Sequence, residues 1–96
     1  MSRNQADLSA ALSVLVVDDE EPLADSIAEG LTRHGYRCRK ANTPEQARSL
    51  LASQTPDIVV TDLRLEGGDE GLDILRQARG LSPAPEVILI TAFGTI

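Results

Sequence analysis

Three short runs are apolar at every position: VLVV at 14–17, IVV at 58–60 and VILI at 87–90. A run without alternation buries both faces, the habit of strands inside a parallel sheet. The segments between the runs change period. Leu23, Ile27 and Leu31 recur every fourth residue, behind Pro22 at a first helical position and ahead of Gly35, which suits the residue just past a helix end. Thr43, Pro44 and Gln46 form a capping-box-like start for a second helix whose apolar stripe is Ala47, Leu50 and Leu51. Leu72, Leu75 and Ala78 predict a third helix, stopped at Gly80.

Between the first two helices, Tyr36, Cys38 and Lys40 alternate with Arg37 and Arg39. Charge on alternate positions predicts a half-exposed edge strand, protected against pairing with other chains. Strands and helices therefore alternate, which predicts an α/β fold built from successive strand-helix-strand units. With right-handed crossovers and the second strand at an edge, helices cover both faces of a doubly wound parallel sheet of strand order 2-1-3-4. Residues 1–12 read as a polar N-terminal arm and 13–96 as one domain.

The first run ends abruptly in Asp18, Asp19, Glu20 and Glu21, and the second is followed by Asp62. In such sheets ligands bind beyond the carboxyl ends of the strands, where the strand order reverses between the first and third strands. Asp18, Asp19 and Asp62 converge there. Two carboxylates about 4 Å apart repel by about 4 kcal/mol at an effective dielectric near 20. Either one of them is protonated or a hard divalent cation sits among them. Glu20 and Glu21 read as first-turn acids favoured by the helix dipole.

VVDDEEP after the first run, TDLRL at the third strand and ILITAFGTI at the fourth together resemble the receiver domain of two-component response regulators, over residues 13–96. The resemblance implies a flavodoxin-like fold and a signalling module, not an enzyme. It makes Asp62 the phosphoacceptor for a sensor histidine kinase and gives Mg²⁺ to Asp18, Asp19, Asp62 and the backbone carbonyl of Arg64. Thr91 matches the switch hydroxyl, and Ala92 the small residue that leaves the acceptor accessible. ITAFGTI is similar to receivers of the nitrogen-regulatory class, which implies an output domain in a longer parent chain.

The chain also departs from that pattern. Receivers continue through a further helix, strand and helix, with a lysine after the added strand, whereas the single lysine here is Lys40 in the second strand. Lacking the last helix-strand-helix, the chain is expected to be a fragment of a longer protein, to be completed by another chain or by exchanged elements, or to be only marginally stable alone, with the exposed edge of the fourth strand as a surface for self-association. Glu66 stands where the family has proline and Gly71 falls one residue late, so a remodelled loop is expected after Asp62.

Composition narrows the partners. A net charge of −6 disfavours nucleic acid and anionic membranes. One cysteine, Cys38, allows no internal disulfide and no thiolate-built metal site, and reads as a small hydrophobe. His34 reads as a group at a helix C-terminus. With no apolar run of membrane-spanning length and no signal-peptide core, the expected location is cytoplasmic. Two other readings stay open: a phosphorylation-silent interaction module, and a small phosphatase or nucleotide-binding enzyme. EGGDEG at 66–71 lacks dinucleotide-binding spacing.

Overall fold

The run at 14–17 forms an inner strand of a four-stranded parallel sheet. In this computed structural model residues 12–62 and 70–90 are described, apart from the Glu70 side chain. The elements are β1 (Ser13–Val17), α1 (Glu21–Arg33), β2 (Arg37–Ala41), α2 (Pro44–Ser53), β3 (Ile58–Asp62), α3 (Glu70–Arg79) and β4 (Glu86–Ile90). The strand order is β2-β1-β3-β4, all parallel, as the alternating pattern predicts.

Leu15, Val17 and Val59 point to one face, where Ala47, Leu51 and Ile74 of α2 and α3 meet them. Val14, Val16 and Val60 point to the other and pack on Ala24 and Ala28 of α1. One helix on one face and two on the other is what crossovers of a single hand require when the chain steps from β1 to β2 and then back past β1 to β3. Leu15, Leu51 and Ile74 are fully buried, each contributing about 1.5–3 kcal/mol through burial.

Local signals decide the helix ends. Thr43 accepts a hydrogen bond from the Gln46 amide at 3.1 Å, while Gln46 Oε1 accepts from the amide of Asn42 at 2.8 Å. The reciprocal arm of the cap thus reaches one residue beyond Thr43. Gly35 has φ 96°, a left-handed conformation that ends α1 where a side chain would be strained. His34 Nδ1 lies 2.9 Å from the carbonyl of Gly30 in the last turn of the helix.

Three expectations about packing are corrected. On α1 the buried residues are Ala24 and Ala28, because small side chains let the helix backbone approach the sheet; Ile27 and Leu31 of the expected stripe pack partly buried beside them, while Leu23 is 42% exposed. On α3 the deepest residue is Ile74, with Ala78 one turn on, and Leu72 and Leu75 are only half-buried. β4 is not enclosed: Ile88 is 52% and Leu89 37% exposed, since among the described residues β4 pairs with β3 alone. The N-terminal residues 1–11 lie outside the described residues. Among those described, no helix is long and apolar enough to cross a membrane.

Candidate functional site

β1 and β3 lie side by side with Val17 opposite Thr61, so Asp18, just past β1, and Asp62, the last residue of β3, stand together at the carboxyl end of the sheet. This is the place where the strand order reverses. Asp18 is only 3% exposed. Its amide donates to the carbonyl of Ala41 at 3.0 Å, and its own carbonyl accepts from Asn42 Nδ2 at 3.0 Å, so β2 holds the backbone from one side. The Asp18 side chain turns back and accepts from the Glu20 amide at 2.9 Å. That bond forms a tight turn between β1 and α1 and aims the carboxylate into the crevice.

Asp19 is exposed and Asp62 half-buried. Beneath Asp62, the hydroxyl of fully buried Thr61 donates to the Asp62 carbonyl at 3.0 Å. One carboxylate oxygen from each of Asp18, Asp19 and Asp62 lies within 4.8 Å of the others. Burial raises the pKa of Asp18 most; the bond from the Glu20 amide opposes it, and the charges of Asp62, Asp19 and Glu20 raise it further. A carboxylate that is both dehydrated and surrounded by like charge is stabilised in its ionised form by a cation. Three hard oxygen donors around one small volume, with room for water on the Asp19 side, fit the ligand preference of Mg²⁺.

The three aspartates singled out in the sequence are therefore brought together. Arg64, Thr91 and Ala92 lie outside the described residues, as do positions 66–69 of the glycine-rich stretch. Glu20 and Glu21 open α1, and neither side chain caps it. Lys40 is held elsewhere, its ammonium 2.6 Å from Asp25, and that hydrogen bond, with the charge of Asp25, raises its pKa. Cys38 is half-buried against the α1 face, as a small hydrophobe would be.

Asn42 was missed by sequence reasoning. It acts by positioning, with one bond to the Asp18 backbone and another to Gln46. The available signal was topological: the first residue after an edge strand parallel to β1 must emerge beside the residue after β1.

Comparison with known proteins agrees with this geometry. The sequence profile of the response regulator receiver domain matches residues 14–96. The photosynthetic apparatus regulatory protein RegA of Rhodovulum sulfidophilum is 29% identical over 96 residues, covering 100% of this chain and 52% of RegA. The alginate biosynthesis transcriptional regulatory protein AlgB of Pseudomonas putida is 40% identical over 83 residues, which is 86% of this chain and 18% of AlgB. The chain thus spans about half, or less, of the length of these relatives.

Among solved structures, the non-phosphorylated HemR receiver domain of Leptospira biflexa superposes with a TM-score of 0.73 at 30% identity, over 88% of this chain and 68% of that one. A response regulator from Burkholderia pseudomallei, solved with a phosphorylated aspartic acid, a calcium ion and citrate, gives 0.76 at 27% identity, over 88% and 49%. Sheet order, the reversal point between β1 and β3, and a profile match over most of the sequence all agree: this chain belongs to the response regulator receiver family.

Proposed function

We propose that Asp62 is the phosphoacceptor of this receiver and that Asp18, Asp19 and Asp62 hold the Mg²⁺ that phosphoryl transfer requires. The observation that carries this reading is the convergence of three carboxylates from two strand ends, with their oxygens within 4.8 Å. The phosphorylated aspartate and divalent ion of the Burkholderia pseudomallei regulator support it by similarity. The donor is a phosphohistidine of a sensor kinase. A carboxylate oxygen of Asp62 attacks phosphorus, the P–N bond breaks, and its electron pair returns to the imidazole ring.

Bound Mg²⁺ supplies positive charge to the phosphoryl oxygens. Asp18, fixed through its backbone by Ala41 and Asn42, contributes a ligand that does not have to reorganise. Asp19 contributes from the solvent side. Within this proposal the Arg64 carbonyl completes the protein ligands, Thr91 answers to the phosphoryl group, and an output domain in a longer chain receives the signal.

Incubation with Mg²⁺ and a small phosphodonor, read by mass spectrometry, is expected to add one phosphoryl group, and Asp62→Asn to abolish the addition. Labelling that persists in Asp62→Asn would sink the assignment. A chain that neither binds Mg²⁺ nor accepts the group would be a phosphorylation-silent interaction module instead.

A further inference from the structure

β2 borders the sheet and, among the described residues, pairs with β1 alone. The amide of Arg37 donates to the carbonyl of Leu12, and the carbonyl of Ala41 accepts from Asp18. These positions direct their backbone groups inward, as Arg39 does between them. Cys38 and Lys40 alternate with them, so each turns an amide and a carbonyl outward along the rim.

Both faces of this rim are hollowed. On the α2 side a hollow of about 420 Å³ is lined by Arg37, Arg39, Gln54 and Asp57. On the α1 side one of about 540 Å³ is lined by Ala28, Thr32, Arg33, Cys38 and Lys40, with Asp25 and Glu29. A strand laid along the rim would send alternate side chains to opposite faces, and so into each hollow in turn.

Charge selects the occupant. In a chain of net charge −6, residues 30–44 contain no acid, and Arg33, Arg37, Arg39 and Lys40 all fall within them. Among the described residues lining the α2-side hollow, two guanidinium groups lie near one carboxylate, that of Asp57, which accepts from the Ser13 amide at 2.8 Å. Arg39 donates to the Gln54 carbonyl at 3.1 Å and, with five N–H donors, has capacity beyond that bond. In the α1-side hollow the acids and bases balance, and Ala28 and Cys38 offer a small apolar floor. A second copy is the wrong occupant: two β2 edges side by side would oppose Arg37, Arg39 and Lys40 to their own equivalents.

We propose that the β2 edge binds an extended acidic segment of a partner protein by strand addition. The segment places carboxylates at alternate positions in the hollow of Arg37 and Arg39, and small aliphatic side chains between them over Ala28 and Cys38. The basic positions then have two effects: they reject self-pairing and admit an acidic strand. The site lies apart from the aspartate cluster and rests on no part of the phosphoacceptor reading.

The probe is a short synthetic peptide alternating Glu with Val, added to the isotopically labelled chain and followed by NMR amide exchange. Slowed exchange at Cys38 and Lys40 is expected, with affinity falling as salt rises. Arg39→Glu is expected to weaken binding by about fivefold to tenfold, and Arg39→Lys much less. The same peptide N-methylated at alternate backbone amides keeps its charge and is expected to lose binding. Equal binding of the N-methylated peptide would overturn strand addition. Equal binding of a Ser-Val peptide would overturn the acidic specificity, and protection of the same amides by oligothymidylate would show a general anion surface in place of a strand site.

Discussion

Asp18→Asn is the perturbation that separates the structural cost of the aspartate cluster from its chemical use. Asparagine keeps the shape of Asp18 and can still accept from the Glu20 amide, but it removes the charge. At the 4.8 Å limit found among the three carboxylates, two unit charges interact by about 3.5 kcal/mol at an effective dielectric near 20. Asp19 is exposed and Asp62 half-buried, so solvent screens much of this, and the net relief is expected to be about 1–2 kcal/mol. Without metal, the variant should therefore be more stable than the parent, with a Tm raised by about 4–8 °C per kcal/mol.

The pH dependence has a definite sign. Asp18 has a folded pKa raised above its unfolded value, so its contribution to stability is fully present below the unfolded value and is lost as pH rises through the folded one. The metal-free parent should gain on Asp18→Asn as pH falls from neutrality into the acidic range. Mg²⁺ acts oppositely because it needs the ionised ligands. At tenfold excess over its Kd it adds about 1.4 kcal/mol to the parent and little to the variant. Thermal melts at several pH values, with and without Mg²⁺, read all of this. A metal-free Asp18→Asn variant less stable than the parent at neutral pH, or one stabilised equally by Mg²⁺, would refute the reasoning.

Other perturbations test the supporting structure. Asn42→Ala removes the hydrogen bond to the Asp18 carbonyl and should cost about 1 kcal/mol in urea unfolding while weakening Mg²⁺ binding severalfold; unchanged metal affinity would deny Asn42 its positioning role. Leu51→Ala empties a fully buried position between α2 and the sheet and should cost about 2–5 kcal/mol, measured by the same method. Thr43→Ala deletes the α2 cap and should cost about 1 kcal/mol, with Thr43→Ser recovering most of it.

The fold was legible where one physical cause controlled the pattern. Unbroken apolar runs marked β1 and β3 because both faces of those strands are covered, and Thr43, Pro44 and Gln46 marked the start of α2 because its exposed amides need partners. It was less legible where depth depends on neighbours. VILI at 87–90 reads like VLVV at 14–17, yet Ile88 is half-exposed and Val16 fully buried, since hydrophobicity records what a side chain prefers and not what lies opposite it. Leu23 and Leu72 lost the interior to Ala24 and Ile74 for a similar reason. A helix turns its closest-approach line to the sheet, and a shift of one or two positions along the chain decides which side chain lies on it.

The aspartate cluster was visible because its energetic cost is visible: like charges ending a buried strand require either a proton or a cation, and strand order says which distant carboxylate joins them. Asn42 carries no charge and costs nothing to place, so nothing in its composition or spacing marks it. Its contribution comes from fixing the backbone of Asp18 through the strand that happens to lie beside β1. The same strand presents its other edge to the solvent with Cys38 and Lys40 turned outward. β2 therefore holds the backbone of Asp18 on its inner side while its outer edge, among the described residues, is open to pairing, and a strand added there would stiffen the element that anchors Asp18. Mg²⁺ affinity measured with and without the Glu-Val peptide gives that coupling a number: tighter metal binding in its presence is expected, and equal affinity would mean that the two edges of β2 act independently.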